Sequence, residues 1–280
     1  MIKTANSRKL LAAIDLDGTL FGPSGRVHPA NYAALERLAA RGFVVVLASG
    51  RHPADIVKIA RNLPMVAWIV GGQGCEVTDV ARERVLSRTY LAAGEAALIA
   101  EAGHAAGYGV FAYTTDDEIA AWRNDDELAR YEGLSQTNVR FVEPNVLEAE
   151  TLFKMMWVGA TERIDALVTS GGHPVPGVTA ATVRSHDFVF EFVPPDASKG
   201  TGLATLAGEL GLAREHVVCF GDADNDLSMF DWAGCAVAMP HARDHVKARA
   251  SFVASAGPSD DAFARGVAEL LEGERGGAYV

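Results

Sequence analysis

Short, continuously apolar runs alternate with segments of helical periodicity along the first third of the chain. Residues 10–14, 43–48 and 65–70 are apolar nearly throughout and of strand length, the pattern of strands buried on both faces of a parallel sheet. Between the first two runs, residues 30–41 repeat apolar positions at helical spacing and Gly42 ends them. After the second run, Ser49-Gly50-Arg51 is followed by Pro53, a residue suited to the first position of a helix. The end of the chain repeats this order, with a helix at 198–210, strands at 217–220 and 236–239, and a last helix at 260–271. Both ends therefore predict one α/β domain, a doubly wound and mostly parallel sheet of Rossmann-like type. Between them the pattern turns mixed, with a helix at 94–106 and strands at 108–113, 152–158, 178–184 and 188–193. These segments predict an inserted α+β domain over residues 84–194, with 1–83 and 195–280 forming the core. Pro194-Pro195 stiffens the return.

With 280 residues, 49% of them hydrophobic, the chain has enough apolar surface for a core and a second, smaller domain. A formal net charge of -11 argues against a general nucleic-acid binder, and acidic residues outnumber Lys and Arg in the insert as well. Cys75, Cys219 and Cys235 form neither an even framework nor a C-x-x-C pair, so they read as reduced, packed thiols of a cytoplasmic protein. Asp15 interrupts the first apolar run too early for a signal peptide, and no run approaches the ~20 residues of a membrane span.

Asp15-Leu16-Asp17-Gly18-Thr19 follows the first strand directly. If the strand runs on through Asp17, both carboxylates point to one face, and Gly18 permits a sharp turn against a ligand. Two acids in a crevice beyond a strand end suggest Mg²⁺, with one carboxylate free to react. Gly221-Asp222-Ala223-Asp224-Asn225-Asp226 repeats the arrangement after 217–220. It is not an EF-hand loop, because Leu227 and Ala233 occupy the places of the obligatory glycine and bidentate acid. Helix capping accounts for one of these acids, yet Asp222 and Asp226 suit a partly hydrated Mg²⁺. Ser49 and Gly50 offer a hydroxyl and an open backbone N–H ahead of a helix, a site for an anion or an ordinary cap. Lys199 precedes Gly200-Thr201-Gly202, and no P-loop string occurs. Ser185-His186-Asp187 holds the residue types of a hydrolytic triad, but neighbours on a strand face opposite ways. Gly71-Gly72-Gln73-Gly74 lacks the order of a dinucleotide fingerprint and reads as a loop passing the crevice.

Taken in order, Asp15-x-Asp17-Gly18-Thr19, Ser49-Gly50-Arg51, Lys199-Gly200 and Gly221-Asp222-x-x-Asn225-Asp226 resemble the haloacid dehalogenase (HAD) superfamily, specifically its Cof-type phosphatases. That resemblance implies an α/β cap of subclass IIB inserted between the second and third motifs. It also implies a Mg²⁺-dependent phosphatase acting on a small phosphorylated metabolite, a sugar phosphate in the leading reading, with no nucleic acid or membrane partner and a monomeric or homodimeric state. By the same resemblance Asp15 is the nucleophile that forms an aspartyl-phosphate, Asp17 the general acid and base, and Lys199 the group that screens charge. Gly18, Ser49, Gly50 and Asn225 would contact or orient the phosphoryl group. The metal would lie on Asp15, the Asp17 carbonyl, Asp222 and, through water, Asp226. A phosphomutase and a non-catalytic sugar-phosphate sensor are the alternatives. The chain departs from its relatives in carrying Gly72-Gln73-Gly74 in place of an Asn-Gly-Ala type turn and Pro240-His241-Ala242 in place of Gly-Asn-Ala. His241 is expected to serve structure, and Trp122 and Arg123 are expected to pack at the surface rather than to meet substrate.

Overall fold

A computed structural model describes residues 9–122, 127, 131, 138–143, 146–147 and 150–272. Its first apolar run forms β1 (Leu10–Ile14), every residue of which is buried. Helix α1 (Pro29–Ala40) opens on a proline at its first position, with His28 Nδ1 accepting from the Ala30 N–H, and ends ahead of Gly42. Then come β2 (Phe43–Ala48), α2 (Pro53–Ala60), β3 (Val66–Gly71), β4 (Glu76–Asp79) and β5 (Val85–Arg88). The insert contributes α3 (Glu95–Ala105), β6 (Gly109–Thr114), β7 (Ile119–Trp122), β8 (Val139–Phe141), β9 (Leu152–Val158), α4 (Thr161–Ser170), β10 (Ala181–His186) and β11 (Val189–Val193). The chain returns through α5 (Lys199–Glu209), β12 (Val217–Gly221), α6 (Leu227–Trp232), β13 (Cys235–Ala238), α7 (Asp244–Lys247), β14 (Phe252–Val253) and α8 (Ala262–Glu272).

The larger sheet has the order β14-β13-β12-β1-β2-β3-β4-β5 and is parallel from β14 to β3. Both of its faces are covered: Leu10, Ala12 and Ile14 join one apolar cluster with α1 and α8, while Leu11 and Ala13 join another with α5 and α6. Strand β1 lies between β2 and β12, so the connections leave it in opposite directions and the carboxyl ends of these three strands open a crevice. Three of the four sequence motifs follow those ends, and Lys199-Gly200 opens α5. Strand β5 lies beyond the boundary expected at residue 83, yet it pairs antiparallel with β4 in the larger sheet. Strands β4, β5, β7, β8 and β14 and helix α4 have no counterpart in the sequence reading. They are short or, like α4 with only Ile164 buried, too polar to show a period.

The insert forms a second sheet, β10-β11-β9-β6-β7-β8, with α3 and α4 on one face. Its other face holds Phe111, Phe153, Met156 and Val189 and packs against Cys75 and Ala197 of the core. Trp122 stacks on His104 within the insert, at 3.9 Å between ring centroids, whereas Arg123 lies outside the described residues. All three cysteines are buried and free. No helix among the described residues is long and apolar enough to cross a membrane.

His52 ties the two units together. Its Nδ1 accepts from the Ala54 N–H at 3.1 Å and caps α2, so the neutral ring carries its proton on Nε2, 3.0 Å from the Thr114 carbonyl of the cap. Burial pushes the His52 pKa below 6.5, only partly opposed by that carbonyl. The unfolded chain therefore takes up this proton first as pH falls. The stability contributed by neutral His52 is complete above about pH 6.5 and is lost below it. Thermal midpoints measured from pH 7.5 to 5 should fall less steeply for His52→Asn, which retains a helix cap, than for the wild type; parallel curves would refute this coupling.

Candidate active site

Strand β1 continues one hydrogen bond past Ile14, from the Asp15 N–H to the Phe220 carbonyl at 3.0 Å, and then the chain turns. The N–H groups of Leu20 and Phe21 return to the carbonyls of Asp15 and Leu16. Gly18 makes the turn possible: its φ is +87°, and a Cβ there would stand 2.3 Å from Asp222 Oδ2. The ladder ends before Asp17, so no strand period sets its direction, yet both acids line one cavity. Asp15 is 4% exposed in the crevice, while the Asp17 side chain is 37% exposed and turns to Arg51. The Arg51 Nε and Nη2 donate to the two Asp17 oxygens, both at 2.7 Å, a bidentate pair. Burial works against the Arg51 charge, but the Asp17 hydrogen bonds and charge outweigh it and hold its pKa above the ordinary value.

Lys199 enters from the first turn of α5, whose start is fixed by reciprocal Ser198 and Thr201 side-chain hydrogen bonds. Gly200 allows that turn to approach the first turn of α6 closely, since a Cβ would meet the Ser228 carbonyl at 2.3 Å. Fully buried, the Lys199 ammonium donates to Asp15 Oδ1 at 2.5 Å and to Asp226 Oδ1 at 2.6 Å. Asp226 Oδ2 accepts from the N–H groups of Asp222 and Ala223, which shapes the loop after β12. Thr19 donates to Asp222 Oδ1 at 2.8 Å. Burial pushes Asp15 well above the usual carboxylate range; Lys199 opposes this, and Asp226, Asp222 and Asp17 add to it. Asp226 is raised for the same first reason, again against Lys199.

Asp15, Asp222 and Asp226 each offer an oxygen within 4.8 Å of the others. Three hard oxygen donors around excess negative charge fit a divalent cation such as Mg²⁺, which would offset the repulsion that raises Asp15. The Asp17 carboxylate stands apart from this set. Ser49 is buried after β2, with its Oγ accepting from the Arg51 N–H at 3.2 Å, and lines one cavity with Gly50, Asp15, Asp17 and Asn225. Asn225 orients neither Ser49 nor Lys199: its amide donates to Gln73 Oε1 at 3.3 Å, and its buried Oδ1 accepts no hydrogen bond. Gln73, with φ at 62°, sits in the glycine-rich loop that was expected to pass the crevice.

His241 does not cap a helix, since Arg243 precedes α7. It faces Asp222, with 3.6 Å between Nε2 and Oδ2, and that carboxylate lifts its pKa despite burial. Ser185 and His186 line the Asp15 cavity from the cap, whereas Asp187 pairs with Arg184 and Arg243, so the three do not form a triad. The sequence reading missed the pairing of Arg51 with Asp17 and of Thr19 with Asp222. Arg51 lay inside a quoted motif, but nothing in its spacing named its partner.

A sequence model of the family described as haloacid dehalogenase-like hydrolase matches residues 12–269. The chain is 28% identical over 237 residues to an HMP-PP phosphatase of Serratia proteamaculans, covering 85% of this chain and 86% of that protein. It is 25% identical over 285 residues to a 5-amino-6-(5-phospho-D-ribitylamino)uracil phosphatase of Bacillus subtilis, covering 94% and 98%. A haloacid dehalogenase-like hydrolase structure from Bacteroides thetaiotaomicron superposes with a TM-score of 0.80 at 25% identity, covering 94% of this chain and all of the other.

Lys199 is the charge that allows Asp15 and Asp226 to be buried together. Lys199→Met should cost about 3–5 kcal/mol at neutral pH, because it leaves both carboxylates without their cation. Their folded pKa values then lie above the unfolded ones, so the folded state binds more protons and stability is regained as pH falls. Denaturant unfolding of this variant should show a higher midpoint at pH 5.5 than at pH 8; the opposite slope would contradict the charge balance.

Proposed function

The chain belongs to the haloacid dehalogenase-like hydrolases, and from that premise we propose that it is a Mg²⁺-dependent phosphatase of small phosphorylated metabolites, acting through an aspartyl-phosphate on Asp15. The observation that carries the reading is the buried Asp15 carboxylate, held at one oxygen by Lys199 and lining a cavity with Ser49 and Gly50 beside two further acids. The relatives named as phosphatases of HMP-PP and of a phosphoribitylamino-uracil support a small phosphate ester as substrate. Sugar phosphates are the leading class.

In this reading Asp15 attacks phosphorus as the bond to the leaving oxygen breaks. Ser49 Oγ and the Gly50 N–H hold phosphoryl oxygens, and Lys199 favours the ionised form of Asp15 and aligns it. Asp17 donates a proton to the leaving oxygen. As a carboxylate it then takes a proton from the water that attacks the aspartyl-phosphate, which frees inorganic phosphate and restores Asp15. Arg51 holds the Asp17 carboxylate by two hydrogen bonds where both residues line the cavity. To donate a proton to the leaving oxygen, Asp17 leaves that partner. Asp15, Asp222, Asp226 and the Asp17 main-chain carbonyl would hold Mg²⁺, which when bound supplies charge neutralisation for the transferring phosphoryl group. The cap sheet and the core loops line the cavity together.

Phosphate release should be measured over sugar phosphates, nucleotides, pyridoxal phosphate and flavin mononucleotide, with Mg²⁺ or with a chelator. Turnover by the wild type should depend on Mg²⁺ and fall by about 1,000-fold or more in Asp15→Asn. Asp17→Asn should instead accumulate an acid-stable, hydroxylamine-sensitive phosphoprotein. Turnover that survives Asp15→Asn would remove the nucleophile assignment, and an isomerised sugar phosphate in place of inorganic phosphate would indicate a mutase.

A further inference from the structure

Glu191 carries a polar atom that the fold leaves without a partner. It lies on β11 at 2% exposure, and its Oε1 accepts from Lys154 Nζ at 2.7 Å and from Ser185 Oγ at 2.5 Å. The other oxygen, Oε2, is buried and accepts nothing. Such an atom forgoes hydration unless a ligand supplies the missing donor. Glu191 lines the cavity that also holds Asp15 and Ser49.

Tyr113 lines the same cavity from β6, and its hydroxyl accepts from Tyr131 at 3.2 Å, which leaves its own proton to donate. The Lys154 ammonium stands 4.4 Å from the Tyr113 ring centre and joins the two residues into one cluster. Burial drives Lys154 towards its neutral form, and Glu191 opposes that shift. Lys154 also donates to the Gly50 carbonyl at 2.7 Å, so the cluster is anchored to the loop assigned above to phosphate. A site with one open acceptor and one open donor matches a hydroxyl, which both donates and accepts. An ammonium ion would satisfy only Glu191, and an alkyl group would leave both partners dry and unpaired.

Resting on the phosphatase reading, we propose that Glu191 and Tyr113 form a hydroxyl-recognition subsite in the cap that selects phosphate esters of polyhydroxylated leaving groups, sugar or polyol phosphates. Lys154 is the positioning residue that fixes Glu191 against the core.

The test compares glucose 6-phosphate with cyclohexylmethyl phosphate, a hydroxyl-free ring of the same size. The wild-type kcat/KM should favour the sugar phosphate by at least about 100-fold. Glu191→Gln and Tyr113→Phe should each reduce that ratio by about 10-fold or more. Tyr113→Phe leaves the buried ion pair intact and guards against a Glu191 variant that does not fold. Equal losses on both esters, or a wild-type ratio near one, would overturn the subsite. So would a preference for 2-aminoethyl phosphate over 2-hydroxyethyl phosphate, which would assign the site to an ammonium group. Calorimetric binding of the two ring esters to Asp15→Asn reads the subsite without turnover. Preferential binding of the sugar phosphate there, with no hydrolysis by the wild type, would support the subsite and refute the phosphatase reading.

Discussion

Burying negative charge at the carboxyl edge of a parallel sheet is the constraint on which the rest of this structure depends. Asp15, Asp222 and Asp226 converge because β1 lies between β2 and β12 and each strand ends in a loop facing the same crevice. Left alone, such a group would neutralise by taking protons or would not fold. Lys199 meets two of the acids directly, and Arg51 meets Asp17 from the neighbouring strand end. Each cation comes from a different segment of chain. The charge balance therefore exists only in the assembled fold, and the site and the core topology depend on one another.

The unequal treatment of the two acids after β1 follows from the backbone. Asp15 is still held by the sheet, through its N–H on Phe220, and cannot turn away from Lys199. Asp17 lies beyond the last strand bond, on a turn whose tightness needs Gly18, and retains partial exposure. A nucleophile profits from rigidity, whereas an acid and base must exchange protons with solvent and with the leaving group. Two residues apart in sequence, the acids occupy the two environments that those tasks require.

The core was legible where apolar runs were continuous. The limits of β2 and β9 agree with their runs, and α1, α5 and α8 lie within two residues of their expected limits, because burial on both faces or a long apolar stripe writes a strong period. Residues of the nucleophile loop were legible as types, but their directions were not. A strand extrapolated through Asp17 overruns the true end, and only the turn hydrogen bonds show where the extension stops. Lys154 and Glu191 were illegible for a different reason. Each sits inside an apolar strand, FKMMWV and VFEFV, where a single charged residue reads as an exposed interruption. Their pairing across adjacent strands is a tertiary fact with no local signature.

The Lys154–Glu191 pair also explains why the cap is more than a cover. Taken as a contribution to stability, a buried ion pair is a poor exchange for apolar packing, since both charges are desolvated. What it supplies is direction. Lys154 reaches across the domain junction to the Gly50 carbonyl, and the remainder of its hydrogen-bonding capacity fixes Glu191 against the cavity. An apolar pair of the same volume would close the junction equally well but would not specify the orientation of the Ser49–Arg51 segment relative to the cap sheet. In the proposed reaction the same polar contact sets both the alignment of the Ser49–Arg51 segment and the chemistry that the leaving group meets. A displacement at either end must be felt at the other, because a buried ammonium cannot give up one acceptor without finding another.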